Sequence, residues 1–249
     1  MDSKLELDNS IPNSAVVIAA HPDDPDFTCA GTVAKWTAGG CKVTYVLLTS
    51  GDVGTDDPHI TRQELVAIRE AEQTAACAAV GVTDIIFLRH PDCQLVPTLE
   101  LRRELTGILR KVRPDVVICG DPTALFYGGE YINHPDHRAA AIVALDAVFP
   151  SVSQRLLWPE LGKAHRVCAV YVSSPQEANI LVDISDTIDR KIAALRAHKS
   201  QMGDWDPEER IKGWAAENGK EVRVAYAERY RRMTINEPEK PAGDEDVNT

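Results

Sequence analysis

The sequence lacks the features that would place the chain in a membrane or on nucleic acid. No run among its 249 residues approaches the about 18–20 consecutive apolar residues of a membrane-spanning helix. Its 27 Lys and Arg against 38 Asp and Glu give a net charge of −11, which repels phosphate backbones. No basic amphipathic stretch is present, and residues 1–10 lack the basic-then-apolar pattern of a signal peptide. We therefore expect a cytoplasmic protein that binds neither membranes nor nucleic acids.

Paired cysteines and a phosphate-binding loop are missing as well. The six cysteines are scattered without a CxxC pair, so we expect no disulfide framework in a chain of this length. Most of them should be small buried side chains in a reducing compartment. The glycine-rich segment SGDVG at 50–54 lacks the GxGxxG spacing of a phosphate-binding fingerprint, so it gives no indication of phosphate binding.

Strand-like and helical patterns alternate along the chain. Buried or β-branched strands are predicted at 15–20, 42–49, 84–88, 115–120 and 166–172, with a shorter extended piece at 180–184. Helices are predicted at 28–39, 61–80, 99–112, 135–149 and 186–200. Such alternation is typical of an α/β, Rossmann-like fold, in which helices cover both faces of a mostly parallel sheet. We expect one domain over 1–235 and a polar, disordered tail over 236–249.

Clusters of histidine and aspartate follow three of the predicted strands. They read HPDDPD at 21–26, HPD at 90–92 and NHPDH at 133–137. Ligands of α/β sheets bind beyond the carboxyl ends of the strands, so the first and third clusters are expected to share one site. Imidazole nitrogens and carboxylate oxygens are typical zinc ligands, and catalytic zinc keeps three of them with a fourth position open. Adjacent side chains point different ways, so one of Asp23 and Asp24 is expected to bind metal and the other to act as a base.

The third cluster is expected at the start of a helix. Proline is well tolerated at the first helical position, so Pro135 places His134 at the cap and His137 in the first turn. These clusters also have structural interpretations: HPDD forms a good turn, His134 can cap the helix, and Asp136 suits a helix N-terminus. The nearby His90 could compete as a ligand. The repeated His/Asp pattern at strand ends favours the metal site.

AHPDD after the first strand, together with HPDH at the start of a later helix, resembles the LmbE-like (PIG-L) deacetylase family over roughly residues 14–200. This family contains zinc enzymes that remove acetyl groups from N-acetylglucosamine units. The resemblance implies a Zn²⁺ ion held by His21, Asp24 and His137. It further implies that Asp23 is the base that takes a proton from zinc-bound water.

The same resemblance implies roles for four further residues. His134 would stabilise the tetrahedral oxyanion, and Asp136 would orient His134 or its neighbour. Arg69 and Asp92 would contact sugar hydroxyls, although Arg69 could instead pair with a glutamate of its own helix.

The chain departs from the family pattern at one point. Many members read HPDDE, whereas Pro25 and Asp26 follow the aspartate pair here. Asp26 could instead cap the first helix. The segment AHKSQ at 197–201 echoes a late family motif around His198, for which the sequence suggests no role.

The leading hypothesis is a zinc-dependent hydrolase that removes the N-acetyl group from an N-acetylglucosamine-type sugar or glycoconjugate. The expected partners are this small amino-sugar substrate and further copies of the chain in a homo-oligomer. Two alternatives stay open: a zinc amidohydrolase that acts on an antibiotic or another non-sugar amide, and a metal-free binding module on a Rossmann-like sheet.

Overall fold

An eight-stranded sheet forms the centre of the fold in this computed structural model, which describes residues 5–129 and 131–236. The strands in chain order are β1 (Glu6–Leu7), β2 (Ser14–Ala19), β3 (Lys42–Thr49), β4 (Asp84–His90), β5 (Val116–Cys119), β6 (Phe126–Tyr127), β7 (Tyr131–Ile132), β8 (Ala169–Ser173), β9 (Ile180–Asp183) and β10 (Ala227–Thr234). Their order in the large sheet is β1-β9-β10-β8-β5-β2-β3-β4, while β6 and β7 form a separate hairpin. The tail predicted over 236–249 lies, apart from Asn236, outside the described residues.

Helices cover both faces of this sheet. They are α1 (Asp24–Thr28), α2 (Ala30–Ala38), α3 (Arg62–Val80), α4 (Leu99–Val112), α5 (Pro135–Val148), α6 (Ile188–Ala197), α7 (Lys199–Met202) and α8 (Glu208–Val222). Helices α2, α3, α6 and α8 contribute to the core on one face, and α4 and α5 to the core on the other. Within the described ranges, no helix is long and apolar enough to cross a bilayer.

Most neighbouring strands run parallel. Strands β8, β5, β2, β3 and β4 form a continuous parallel block, and β10 runs antiparallel to both β8 and β9. Parallel neighbours require crossover connections, which the helices supply. The predicted α/β, Rossmann-like fold, with a mostly parallel sheet and helices on both faces, is therefore confirmed.

Strand β2 shows why both faces must be covered. Ala15 and Val17 join the core that contains α2, α3 and α6, whereas Val16 and Ile18 join the core that contains α4 and α5. Successive strand side chains point to opposite faces, so this continuous apolar run is buried only when helices pack on both sides.

The sequence patterns do not predict two C-terminal elements, α8 and β10. Helix α8 contains two glycines and buries only Ile211, Ala215 and Gly219, so its apolar stripe is thin. Strand β10 reads AERYRRMT, a charged run that becomes a strand because β8 and β9 pair with it on both edges. Tertiary pairing here overrides a weak local preference.

One predicted helix is preceded by a short extra helix, a second is divided, and a third begins as expected. The short α1 precedes the helix predicted over 28–39, and the helix predicted over 186–200 breaks at His198 into α6 and α7. Thr61 and Glu64 exchange hydrogen bonds in the capping box of α3, and Gly81 ends that helix with a φ of 81°.

The strand order places a crevice at the end of β2. From β2 the chain proceeds to β3 and β4 on one side, whereas β5 and β8 lie on the other. Connections leave β2 and β5 in opposite directions, and such a switch point is where ligands bind in α/β sheets. His21 follows β2 closely, and α5 starts after β5, so the first and third His/Asp clusters meet at this crevice.

Candidate metal centre and active site

The loop between β2 and α1 carries the first cluster. His21 is 6 % exposed, and its backbone N–H donates to Asp24 Oδ2 at 2.8 Å, which folds the loop back on itself. Asp23 is the N-cap of α1 and has a φ of 87°, a left-handed value that is uncommon outside glycine. Its backbone N–H donates to Gln73 Oε1 of α3 at 2.9 Å. These bonds present both aspartates at the carboxyl end of β2.

The start of α5 carries the third cluster. His134 is the N-cap, and its Nδ1 accepts the backbone N–H of Asp136 at 3.2 Å. The proline expected at the first helical position is there, and His137 follows in the first turn. Asn133, just before the cap, is buried, and its amide donates to the carbonyl of Ala124 at 2.8 Å. The helix start is thereby fixed against the loop after β5.

Atoms of the three predicted metal ligands converge. His21 Nδ1 lies 3.2 Å from His137 Nε2, and Asp24 Oδ1 lies 3.0 Å from the same His137 nitrogen. Asp24 Oδ2 lies 3.4 Å from His21 Nδ1. Zinc bonds of about 2.0–2.2 Å in a tetrahedron would place ligand atoms about 3.3–3.6 Å apart. The three side chains therefore fit a divalent cation with small adjustments.

The second nitrogen of each of these imidazoles faces oxygen. His21 Nε2 lies 3.0 Å from Asp92 Oδ1 and 3.5 Å from Asp136 Oδ2. His137 Nδ1 lies 3.0 Å from Asn133 Oδ1, an amide oxygen that can only accept. These contacts favour protons on the two outward nitrogens. His21 Nδ1 and His137 Nε2 are then left as lone-pair donors for a cation.

His134 also reaches this cluster but fits it less well as a ligand. One nitrogen each of His21, His134 and His137 lies within 4.8 Å of the others, whereas Asp24 approaches both His21 and His137 to 3.4 Å or less. His134 Nδ1 is already an acceptor, so the neutral ring carries its proton on Nε2. Burial and the charges of His21 and His137 lower the pKa of His134, which favours this neutral form.

Carboxylates dominate the charge around the two candidate ligand imidazoles. Burial disfavours a proton on His21, but three neighbouring carboxylates, led by Asp24, outweigh it and raise the pKa of His21 to about 12. Burial also opposes a charge on His137, and Asp24 raises its pKa nonetheless. Although burial favours neutral Asp24, the two imidazoles hold its pKa well below its ordinary value. The surroundings therefore favour positive charge at this point.

Asp23 differs from its neighbour in charge environment. Burial and the negative charge of Asp24 raise the pKa of Asp23 to about 7, against the opposing charge of Arg69. Arg69 Nη2 lies 3.5 Å from Asp23 Oδ2. A carboxyl group of this kind can both accept and return a proton near neutral pH. Its predicted role as the base stays a prediction.

Arg69 and Asp92, which the family resemblance assigns to sugar hydroxyls, are each 4 % exposed. Arg69 donates to two backbone carbonyls in the loops after β3 and β2, at 3.1 and 2.8 Å, and its ion pair is with Asp23 rather than with a glutamate of α3. Asp92 Oδ2 accepts the backbone N–H of Val53 at 3.3 Å, while Oδ1 faces His21. Both residues support the site through protein contacts, and their contact with substrate stays a prediction.

Asp136 and His90 bind parts of the protein that the sequence does not indicate. The carboxylate of Asp136 accepts backbone N–H groups of Cys93 and Leu95 at 2.7 and 3.2 Å, so it anchors the loop after β4. Among the described hydrogen bonds, Asp136 reaches the ring of His134 through its backbone N–H and not through its carboxylate. His90 pairs with a glutamate of α4 at 2.8 Å instead of joining the cluster.

The alternative in which Asp26 caps the first helix is wrong. The cap of α1 is Asp23, and Asp26 lies in the first turn with its side chain fully buried. Asp26 Oδ2 instead accepts bonds from Gln73 Nε2 and His198 Nε2, both at 2.8 Å.

Sequence reasoning misses three residues at the site: Asn133, Gln73 and Cys93. Asn133 stands directly before HPDH, and Gln73 lies one helical turn after Arg69 on α3. Their closeness to predicted site residues was a weak signal that both lie at the site. Cys93 directly follows the HPD cluster, and its exposed thiol lies 3.6 Å from His134 Nε2. Its proximity depends on how the loop after β4 folds.

A cleft of about 850 Å³ opens onto the candidate ligands and Asp23. Its aromatic lining comprises Phe27, Tyr127, Tyr131 and Trp214. Trp214 comes from α8, an element that the sequence did not predict. A mainly apolar cleft with a few convergent polar groups is typical of a small-molecule site.

Residues 16–148 match the family model described as PIG-L: GlcNAc-PI de-N-acetylase. The chain belongs to the PIG-L family. The matched segment extends from β2 to α5, so it contains both His/Asp clusters that meet at the crevice. The family resemblance inferred from the sequence is thereby confirmed.

Individual PIG-L relatives match most of the chain. The diacetylchitobiose deacetylase of Thermococcus kodakarensis is 33% identical over 216 residues, which cover 83% of this chain and 79% of the relative. The 1D-myo-inositol 2-acetamido-2-deoxy-alpha-D-glucopyranoside deacetylase of Actinosynnema mirum is 30% identical and covers 88% and 91%. The solved N,N'-diacetylchitobiose deacetylase of Pyrococcus horikoshii has a TM-score of 0.82 at 31% identity and covers 90% and 84%. All three are named deacetylases.

Proposed function

We propose that this protein is a zinc-dependent hydrolase that removes the N-acetyl group from an N-acetylglucosamine-type sugar or glycoconjugate. The observation that carries the proposal is the convergence of His21, Asp24 and His137 beside a separate carboxylate, Asp23, in an open cleft. The similarity to proteins named deacetylases supports an N-acetyl amide as the bond that is cleaved.

His21 Nδ1, an oxygen of Asp24 and His137 Nε2 would hold the zinc ion. When bound, zinc supplies Lewis-acid chemistry, polarising a carbonyl oxygen and lowering the pKa of water from 15.7 to about 7. Asp92 and Asn133 keep the two imidazoles in the tautomers that ligation requires. Three protein ligands leave room for substrate or water in a fourth position.

Asp23 acts as the general base and then as the general acid. It takes a proton from the water that attacks the acetyl carbon and passes it to the nitrogen of the departing amine. Its position supports this role, because it adjoins the ligand Asp24 and lines the same cleft. Arg69, 3.5 Å away, stabilises the carboxylate before it takes the proton.

His134 donates a hydrogen bond to the acetyl oxygen as negative charge develops there. The bond from the backbone N–H of Asp136 to Nδ1 leaves Nε2–H as the donor, and His134 lines the cleft. The loss of one such oxyanion donor costs about 2.7–4 kcal/mol in other hydrolases.

The amino-sugar substrate is favoured over the alternatives. Both curated relatives described above are named for amino-sugar substrates, which supports a sugar rather than an antibiotic or another non-sugar amide. Several carboxylates surround two imidazoles whose lone pairs point towards a common centre. This arrangement favours a bound cation over a metal-free binding module.

Acetate release tests the proposal directly. The protein is incubated with N-acetylglucosamine, N,N'-diacetylchitobiose and N-acetylglucosaminyl-inositol, first as purified, then after chelation, and then with zinc restored. We expect release from at least one substrate, loss after chelation and recovery with zinc. Release that is insensitive to chelation, or no release from any of them, would contradict the proposal.

Asp23→Ala separates the base from the metal site. We expect it to retain bound zinc and lose turnover, whereas His137→Ala should lose zinc affinity. Near-normal turnover in Asp23→Ala would show that the base is another group.

We further propose that the described residues act as one domain, because the C-terminal β10 pairs within the same sheet as the site-bearing β2. The homo-oligomer and the cytoplasmic location stay predictions of the sequence. Light scattering after size-exclusion chromatography measures the oligomeric state.

A further inference from the structure

Asp23 has a backbone conformation that its surroundings must maintain. Its φ of 87° and ψ of −32° lie in a region that non-glycine residues rarely occupy. The carbonyl side of Asp23 is fixed by the start of α1, because it accepts the backbone N–H groups of Asp26 and Phe27 at 2.8 and 3.0 Å. The amide side is fixed by one described bond, from its N–H to Gln73 Oε1 at 2.9 Å.

Gln73 is itself held by a buried pair. Gln73, Asp26 and His198 are all 0 % exposed. Gln73 Nε2 donates to Asp26 Oδ2, and His198 Nε2 lies 2.8 Å from the same oxygen. With its oxygen on Asp23 and its nitrogen on Asp26, the amide of Gln73 cannot rotate without losing both bonds. The chain of contacts therefore runs from His198 to the amide of Asp23.

We propose that Gln73, Asp26 and His198 are positioning residues that hold Asp23 in the conformation it needs as the base. This inference rests on the proposed function. The three residues, which we name the Asp23 support, come from α3, α1 and the break between α6 and α7. Without these three residues, the backbone N–H of Asp23 loses its hydrogen-bond partner and the strained backbone there can relax. The carboxylate of Asp23 then moves relative to the proposed ligand Asp24.

The Asp23 support explains two features of the sequence that the proposed catalytic roles do not explain. Pro25 and Asp26 replace the usual glutamate of the family pattern, and the structure turns Asp26 inward onto Gln73 and His198. His198 lies at the point where the predicted C-terminal helix breaks, with a φ of −82° and a ψ of 59°. The break directs its ring into the interior, towards α1.

Gln73→Met removes both hydrogen bonds of the amide and keeps a side chain of similar length. A misplacement of about 1 Å can cost about 100-fold in rate, so we expect kcat for N,N'-diacetylchitobiose to fall by about 10- to 100-fold. KM and zinc content should stay within about twofold of the wild type, because the described hydrogen bonds of Gln73 reach no candidate zinc ligand and touch the cleft lining only at the backbone of Asp23. Wild-type kcat in this variant would overturn the inference.

An exchange of hydrogen-bonding groups gives a sharper test. Gln73→Glu alone sets two carboxylates against each other, whereas Asp26→Asn alone keeps an amide oxygen that can accept from Gln73 Nε2 and His198 Nε2. In the double variant, the glutamate can accept from both the amide of Asp23 and the new asparagine, and the second N–H of that asparagine can donate to His198 Nε2 when the ring carries its proton on Nδ1. The chain of bonds is then restored with its direction reversed beyond residue 73. We expect Gln73→Glu alone to lose kcat, Asp26→Asn alone to stay close to wild type, and the double variant to recover to within about threefold of wild type. A double variant no better than Gln73→Glu alone would refute the positioning role.

Two controls separate positioning from folding and from the proposed function. Ser151→Ala removes a partly buried hydrogen bond to the carbonyl of Asp146, at the far end of α5; it should lower the melting temperature and leave kcat unchanged. Asp23→Asn sets the rate expected without a base. Full activity in Asp23→Asn contradicts the base role that the proposed function gives to Asp23, whereas an inactive Asp23→Asn beside a fully active Gln73→Met contradicts this inference alone. If Gln73→Met does not fold, the exchange series decides.

Discussion

Replacement of Asp92 distinguishes two explanations for a buried carboxylate at the site. Asp92 Oδ1 lies 3.0 Å from His21 Nε2, so we expect it to orient a metal ligand. The family resemblance assigns it instead to sugar hydroxyls. The first role predicts weaker zinc binding with an unchanged KM, and the second predicts a higher KM with unchanged zinc binding.

The size of the loss depends on what remains near His21 Nε2. A group that orients a ligand histidine typically contributes about 10- to 100-fold in metal affinity, or about 1.4–2.7 kcal/mol. Asparagine keeps an oxygen near Nε2 but no charge, whereas alanine leaves only Asp136 Oδ2 at 3.5 Å. We therefore expect zinc affinity to fall about tenfold in Asp92→Asn and about 100-fold in Asp92→Ala.

Competition against a chromophoric chelator measures the zinc Kd, and acetate release at saturating zinc gives KM. Asp121→Asn is the matched control, because Asp121 also lines the cleft and is buried, yet among the described residues its carboxylate bonds only to Thr123 and Gln176. An unchanged zinc Kd in Asp92→Ala, or a loss no greater than in the control, would refute the orienting role.

Three further predictions concern other parts of the chain. Lys191 forms a buried ion pair with Glu228 at 2.6 Å; Lys191→Met should destabilise the fold by about 3 kcal/mol in urea unfolding, because it leaves a buried charge unpaired. A Cβ at Gly51, where φ is 64°, would overlap the Arg69 guanidinium; Gly51→Ala should therefore lower kcat by about tenfold by displacing Arg69 from Asp23, and unaltered kinetics would contradict this. Iodoacetamide should alkylate the exposed Cys93 before the other cysteines and inhibit acetate release, which mass spectrometry and rate measurements can check. The Cys93→Ser variant should resist this inhibition.

The placement of the two main clusters could be predicted from sequence because it depends on local patterns and one topological rule. The apolar run of β2 ends just before His21, and Pro135 marks the start of α5. Strand ends of a parallel sheet meet at one edge, so the two clusters had to lie near each other. No knowledge of side-chain contacts was needed for that step.

The supporting contacts could not be predicted in this way. Asp92 meets His21 although β3 separates β4 from β2 in the sheet, because the segment after β4 packs against the loop after β3. Neither the strand order nor this packing is encoded in any local pattern. Gln73 meets the amide of Asp23 across 50 residues of sequence. Such pairs depend on how α3 packs against the end of β2. The sequence and its family resemblance could therefore suggest candidate ligands but not the groups that contact them.

Asp23 occupies a backbone position that glycine would fill more easily. Its left-handed φ of 87° costs an L-residue about 1–3 kcal/mol, whereas glycine carries an entropic cost of about 0.5–1 kcal/mol. Asp23→Gly should therefore be more stable than Asp23→Ala by up to about 2 kcal/mol, although both variants should be inactive. Urea unfolding of the zinc-free proteins measures the difference.

Alanine is the appropriate reference because it removes the carboxylate and keeps the backbone strain. The difference between the two variants then reports the backbone strain minus the entropic cost of glycine, about 0.5–1 kcal/mol, free of any effect of charge. A glycine variant that is less stable than the alanine variant by this entropic cost would mean that the backbone is relaxed and that the Asp23 support has no strain to hold. If glycine is the more stable, the chain carries aspartate at this turn at a cost in stability, because a glycine there has no group that can take a proton.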